Sequence, residues 1–334
     1  MEKNITSIAV DAMGGDNAPS EIVKGALRAA AERKDIRIFL TGPEEVIKKE
    51  LEKEGGAGEN VSIIHAPQVI TNDEPPVNAI RKKKDSSIVV GLSTIKTGQC
   101  DAFVSAGSTG AILAGASVVA GKLKGVMRTP LAPLIPTRTG YCLLTDCGAN
   151  VDARAAHLVQ FAKMGSIYME NIVGVKNPRV GLLNIGAEEE KGNALVKETF
   201  PLMRECKDIN FIGSVEARDV AEGAADVVVC EAFAGNVLLK TYEGVGQVLI
   251  SEMKKGMTST FTGKLGALLI KKPLKQSMKK FTAGEYGAAP MLGLNGLVLK
   301  THGNATSREI YNSILQCITF KEQRISEKIQ DALA

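Results

Sequence analysis

Short apolar runs alternate with longer amphipathic stretches along almost the whole chain. Residues 5–10, 36–40, 61–65, 102–105, 141–145, 180–184, 211–212 and 227–230 are compact and rich in Val, Ile, Leu and Ala, the mark of strands buried on both faces. Between them, residues 20–32 and 44–54 space their apolar positions three and four apart, and a helix is predicted from Thr109. Residues 306–333 repeat the helical spacing through Ile310, Ile314, Cys317, Ile318, Ile325 and Ile329. Such βαβ alternation predicts a three-layer α/β/α fold around a mostly parallel, doubly wound sheet. The whole chain, 1–334, reads as a single large α/β unit. Residues 66–84 break the pattern with Pro67, Pro75 and Pro76 and are expected to be a functional loop.

Composition narrows the class. Aromatic residues are only 4% and Trp is absent, so a base-stacking nucleic-acid platform is not expected. The six cysteines form no Cys-x-x-Cys pair, and reduced structural thiols in a cytoplasmic protein are expected. No signal peptide and no membrane span is read. The net charge of +4 is unevenly spread: residues 254–280 hold eight lysines and no acid, so the remainder is net acidic. Within this stretch Leu265, Leu268, Leu269 and Ile270 lie between Lys264 and the pair Lys271-Lys272, with Pro273 expected to end the run. Residues 254–282 are therefore expected to form a basic amphipathic helical hairpin. Its apolar tip suits an anionic membrane surface, an acidic partner protein or a second copy of the chain, and the first is preferred.

In open α/β sheets ligands bind beyond the carboxyl ends of the strands, so the loops there carry the functional signal. Asp11-Ala12-Met13-Gly14-Gly15-Asp16 follows the first strand, where paired glycines permit a tight turn with exposed amides. Ser105-Ala106-Gly107-Ser108-Thr109-Gly110 offers hydroxyls and amides at a helix start. Asp146 to Asp152 includes Asn150; Asn184-Ile185-Gly186 leads to Lys191-Gly192-Asn193; Glu231 to Asn236 is followed by Lys240; and Lys300-Thr301-His302-Gly303 precedes the last helical region. Each alone is compatible with ordinary turn and cap chemistry. Together, six small polar loops are expected to converge on one sheet edge as an anion-binding cleft. Neither a phosphate-loop lysine motif nor Gly-x-Gly-x-x-Gly nor Gly-x-Ser-x-Gly is present, and the three histidines lack metal-ligand spacing. No metal and no cofactor are expected.

These loops, in this order, resemble those of the bacterial phosphate acyltransferase family. The resemblance rests on Val10 to Asp16, Ser105-Ala106-Gly107, Thr109-Gly110-Ala111, Gly148-Ala149-Asn150, Lys191-Gly192-Asn193, Asn210-Phe211-Ile212-Gly213, Gly235-Asn236 with Lys240, and His302-Gly303. The chain has Ser108 where the family usually has Asn, Glu231-Ala232 for Asp-Gly, and Gly287-Ala288-Ala289-Pro290 for Gly-Gly-Ala-Pro. The resemblance implies an isocitrate dehydrogenase-like or phosphate acetyltransferase-like fold. It further implies transfer of a fatty acyl group from acyl-acyl carrier protein to inorganic phosphate, giving acyl phosphate for phospholipid synthesis. The implied setting is a homodimer on the inner face of the membrane, beside a downstream glycerol-phosphate acyltransferase.

On that reading Asp11, Asp16, Asn150, Lys191, Asn193, Asn236 and His302 are the expected catalytic set. Gly14, Gly15, Ser105, Gly107, Ser108, Thr109, Gly110, Asn184, Gly186 and Lys240 are the expected substrate contacts. Phosphate is placed at the Ser105–Gly110 amides and Lys191, with the three asparagines donating to the oxyanion. Two rival classes stand beside it: a phosphate acetyltransferase-like enzyme on acyl-coenzyme A (or an NAD-linked dehydrogenase of the same fold), and a non-catalytic membrane-bound organiser of lipid synthesis. The first keeps the loops, while the second needs only the basic tip.

Overall fold

The computed structural model describes residues 5–278 and 288–334. Eleven strands among these residues fall into two sheets rather than one. The first is ordered β10 (Ala289–Met291), β11 (Leu297–Lys300), β4 (Ala102–Ser105), β1 (Thr6–Asp11), β2 (Ile36–Gly42), β3 (Val61–His65). The second is ordered β5 (Leu134–Pro136), β6 (Tyr141–Thr145), β9 (Val227–Val229), β7 (Arg179–Asn184), β8 (Asn210–Glu216). Pairing is parallel throughout except at β10 and β5, the antiparallel edge of each sheet.

Those two edges meet. Leu131 bridges Met291, the Ala132 amide donates to the Pro290 carbonyl at 2.9 Å, and the Leu292 amide donates to Pro130 at 3.2 Å. The six loops expected on one sheet edge are therefore shared: β1, β4 and β11 supply three, and β6, β7 and β9 supply the others. The reason lies in pairing, because β6 finds its parallel partner in β9 and not in any strand of the first sheet.

Helices α1 (Ser20–Glu32), α2 (Glu44–Lys53), α3 (Pro76–Lys82), α4 (Ser87–Lys96) and α5 (Thr109–Gly115) accompany the first sheet. Helices α6 (Ala155–Tyr168), α7 (Ala194–Glu205) and α8 (Ala217–Val220) accompany the second; α11 (Ser307–Glu322) and α12 (Ile325–Leu333) close the chain. Strand alternation sets the layers. In β1, Ile8 and Val10 join an apolar cluster with Ile22, Val23 and Ile310, whereas Ala9 packs on the other side with Ile88, Leu92 and Ile112. The first cluster continues into the second sheet through Leu143, Val180, Leu182, Val227 and Val229. Residues 66–84 are less irregular than their prolines suggested: Pro76 occupies the first turn of α3, where its missing N–H costs nothing.

Helix α9 (Ala232–Thr258) begins at the end of β9 and runs 27 residues, about 40 Å. Only Ala232 and Gly235 in it are buried. Leu238 and Leu239 still pack on the core and the Tyr242 hydroxyl donates to the Pro136 carbonyl; beyond these α9 is mostly exposed and pairs with α10 (Phe261–Met278) as a helical hairpin. The first arm thus starts well before residue 254, and residues 279–282 of the expected hairpin lie outside the described residues. Helix α10 also continues through Pro273, which was expected to end it. In an exposed helix the single carbonyl freed by proline is served by water, so the helix survives. No described helix is long and apolar enough to cross a membrane.

Candidate active site

The ends of β1, β4 and β11 are neighbours in the first sheet, and their loops interlock. Asp11 is buried, and its Oδ2 accepts from the Ser105 hydroxyl at 2.6 Å while Oδ1 accepts from the Met13 amide at 3.1 Å. Burial pushes its carboxyl above the ordinary aspartate range, and the Ser105, Ser87 and Met13 donors work against that. The Gly107 amide donates to Ser105 Oγ at 3.0 Å. A Cβ on Gly14 would lie 2.5 Å from Asp11 Oδ2 and 2.6 Å from the Gly107 nitrogen. Gly15 has φ +98 and would strike the Gly303 carbonyl at 2.6 Å. The Asp16 amide donates to that same carbonyl at 2.7 Å. The double glycine therefore exists to bring three backbones together.

Ser108 caps α5 by accepting from the Ala111 amide at 3.4 Å, so the exchange of Asn for Ser keeps a capping oxygen. Thr109 is exposed, and Gly110 lies against Pro76 of the 66–84 segment.

The second sheet supplies the facing wall. Glu231 caps α9, accepting from the Phe233 amide at 2.6 Å and the Ala234 amide at 2.8 Å. Asn236 and Lys240 follow on one face of α9, both exposed. Lys240 Nζ donates to Glu243 Oε2 at 2.8 Å, and the other oxygen of Glu243 lies 3.9 Å from His302 Nε2. Thus α9, which starts in the second sheet, reaches the β11 loop of the first. His302, Lys240, Asp11, Asp16, Gly14, Gly15, Ser105 and Gly107 are brought to one place.

Two residues left without a role in the sequence reading stand out. Lys300 ends β11, and its ammonium donates to the Ala106 carbonyl at 3.5 Å and to the Thr301 carbonyl. Burial lowers its pKa to about 8, helped by the charge of Lys240, while Asp11 and Asp16 act to raise it. The available signal was a lysine ending the apolar run Leu297-Val298-Leu299, a position that draws its side chain inward. Asp146 is the second. It is fully buried; Oδ1 accepts from the amides of Leu131, Gly148 and Ala149 at 3.0, 3.2 and 3.1 Å, and Oδ2 from the Asn150 amide and side chain, both at 2.7 Å. Burial raises its carboxyl pKa, and the N–H donors oppose this.

Asn150 was expected to donate to an oxyanion. Its amide instead donates to Asp146 Oδ2 and, at 3.0 Å, to the Thr129 carbonyl, so both hydrogens are committed to holding the loop. The β7 loop also closes on itself. Asn184 donates to the Lys191 carbonyl and the Ser214 hydroxyl, at 3.2 and 3.1 Å. Asn193 caps α7 by accepting from the Val196 amide at 2.9 Å. Lys191 Nζ pairs with Glu188 at 2.9 Å, and its stem lies over Gly186.

A cleft of small polar loops at the carboxyl ends of parallel strands, with two lysines and a histidine at its seam, defines an α/β/α enzyme built around an anion. Solved structures with this architecture include a phosphotransacetylase from Streptococcus pyogenes (TM-score 0.62, 17% identity, 98% of this chain and 96% of that one). A phosphotransacetylase from Staphylococcus aureus gives a TM-score of 0.58 at 18% identity, covering 96% and 94%. A family model described as "Fatty acid synthesis protein" matches residues 6–328. A phosphate acyltransferase from Clostridium acetobutylicum is 47% identical over 98% of both chains, and one from Clostridium novyi is 48% identical over 97% of both. The chain belongs to the phosphate acyltransferase family and is an acyltransferase.

Proposed function

We propose that this enzyme moves a fatty acyl group from acyl-acyl carrier protein to inorganic phosphate, giving acyl phosphate for phospholipid synthesis. The observation that carries the reading is the seam where Lys240 and His302, from different sheets, meet at Glu243 in a chain of this family. Phosphate dianion attacks the thioester carbonyl, the C–S bond breaks, and the carrier thiolate leaves and takes up a proton. A thiolate is a good leaving group, so the work is to hold phosphate, aim it, and stabilise the tetrahedral oxyanion. A covalent acyl-cysteine is disfavoured: burial raises the thiol pKa of Cys100 to about 11 and of Cys142 to about 12, and raises those of Cys147, Cys230 and Cys317 as well. Phosphate lies at the Ser105–Gly110 loop facing Lys240, with Asn236 as the exposed amide nearest the carbonyl. Lys191, held only by an exposed pair with Glu188, is free to turn to the incoming anion. The test is phosphate-dependent release of free carrier thiol from acyl-acyl carrier protein by the purified enzyme. Release with acyl-coenzyme A only, or none from folded protein, sinks the reading.

The hairpin supplies the setting. Phe261, Leu265, Leu268, Leu269 and Ile270 are all exposed, Leu269 to 76%, beside the exposed Lys264, Lys271 and Lys272. Apolar side chains standing out beside a basic cluster favour an anionic bilayer surface over carrier docking, which needs charge but not this many apolar contacts. The apolar exposed residues of α9, Val245, Val248, Leu249 and Met253, favour a homodimer through the first arm. The enzyme then works as a cytoplasmic peripheral protein on the inner face of the membrane, passing acyl phosphate to a glycerol-phosphate acyltransferase. In flotation with vesicles containing anionic lipid, wild type rises with the lipid and Leu268→Glu stays behind; equal flotation removes the membrane contact from the proposal.

A further inference from the structure

We infer that the partly buried Lys300 ammonium binds the phosphate group of the substrate, working with Lys240 across the seam between the two sheets. The inference deepens the proposed phosphate-transfer reading and rests on it for the identity of the anion.

An ammonium withdrawn from water loses hydration that only an opposite charge or well-placed acceptors restore. Lys300 has two acceptors, the carbonyls of Ala106 and Thr301, and both are neutral. Among the described residues it forms no ion pair. Two carboxylates face it, and neither forms an ion pair with it. Asp11 is held by the Ser105 hydroxyl at 2.6 Å and the Met13 amide at 3.1 Å. Asp16 belongs to the loop fixed by its amide bond to the Gly303 carbonyl. From the other sheet the facing charge is Lys240, a like charge whose own partner, Glu243, points toward His302. Lys300 and Lys240 thus face each other, and Lys300 ion-pairs with neither Asp11 nor Asp16, so a dianion entering between the two ammoniums meets both.

Position strengthens this. Lys300 lies on β11 beside β4, in register with Ser105, so its side chain reaches the carbonyl of Ala106 within the Ser105–Gly110 loop. An anion taken up at that loop meets the ammonium directly. Lys300 closes no ion pair among the described residues, and its burial lowers its pKa to about 8.

The sign of the pH dependence follows. Lys300 must be protonated to bind the anion, so affinity for phosphate is kept below about pH 8 and lost above it, as the buried lysine deprotonates. The groups that set this limit are Asp11 and Asp16 on the β1 loop, Lys240 and Glu243 on α9, and His302 on its own loop.

Three readouts test the inference. Calorimetric titration of inorganic phosphate into the enzyme at pH 7, without acyl donor, gives a dissociation constant at least about 10-fold weaker for Lys300→Met than for wild type. The melting temperature of Lys300→Met does not fall, because Lys300 closes no ion pair whose loss would leave a charge uncompensated. Lys300→Arg keeps phosphate affinity up to pH 10, where wild type has lost it. Unchanged phosphate affinity in folded Lys300→Met, or the same alkaline loss in Lys300→Arg, overturns the inference. Lysine-dependent phosphate binding without phosphate-dependent thiol release would sink the acyl-transfer reading alone. Phosphate-dependent release with an unaltered phosphate KM in Lys300→Met would sink this inference alone.

Discussion

Asp146→Ala lowers folding stability by about 3–5 kcal/mol, the cost of stripping a buried, fully bonded carboxylate from the groups it serves. Five N–H donors converge on this one side chain from Leu131, Gly148, Ala149 and twice from Asn150. Four are backbone amides, three in the loop after β6 and one at Leu131, that no sheet or helix bond satisfies. Removing the carboxylate leaves them unpaired at a site where the Asp146 amide is itself held to the Cys230 carbonyl at 3.0 Å. Asp146→Asn separates shape from charge. It keeps the volume, turns an NH2 against N–H donors, and is expected to recover only part of the loss. Denaturant unfolding of the three proteins checks this. A loss below about 1 kcal/mol for Asp146→Ala would mean that water replaces the carboxylate at no great cost.

Gly14→Ala cuts turnover on the order of 100-fold while leaving the melting temperature much less affected. The added methyl would sit 2.5 Å from Asp11 Oδ2 and 2.6 Å from the Gly107 nitrogen, so either the carboxylate or the β4 loop must move. Neither can move alone, because Ser105 ties them together at 2.6 Å. The displaced loop carries the Ala106 carbonyl that holds Lys300. Steady-state kinetics with phosphate varied is the measurement, and normal kcat with normal phosphate KM would mean that the interlock is not needed for turnover.

Several strands were legible because they are short, mostly apolar runs. Residues 61–65, 102–105 and 141–145 match β3, β4 and β6 at both ends. The glycine and serine loops after them were legible for the same reason, as they interrupt such runs abruptly. The short strands β5 and β10 were not, because three residues beside prolines carry no periodicity of their own. Helix α4 was also missed: it is apolar on most sides, with seven buried residues, so its pattern shows no polar face. The hairpin's chemistry was readable from lysines and leucines, but its length was not, since α9 leaves the core after Tyr242 without any change in helix propensity.

Residue roles divide along the same line. That Asp11, Ser105, Asn150, Lys191 and His302 belong to strand-end loops, and Lys240 to the helix after one, follows from the order of apolar and polar residues, which is local information. Which of them share a cleft does not. Long-range pairing decided that β1, β4 and β11 end side by side, that β6, β7 and β9 end in another sheet, and that α9 crosses from one to the other. It also exchanged roles that residue type alone made equal: Asn150 spends its hydrogens on Asp146, and Lys191 pairs with Glu188. Lys300, an ordinary lysine in the sequence, is left facing a like charge without an ion pair. By itself the sequence determined the fold class, the anionic character of the ligand and the family. Only the tertiary structure decided which charges are buried together, because burial and pairing are set by residues about 60 to 290 positions apart in the chain, as for Lys300 with Lys240 and with Asp11.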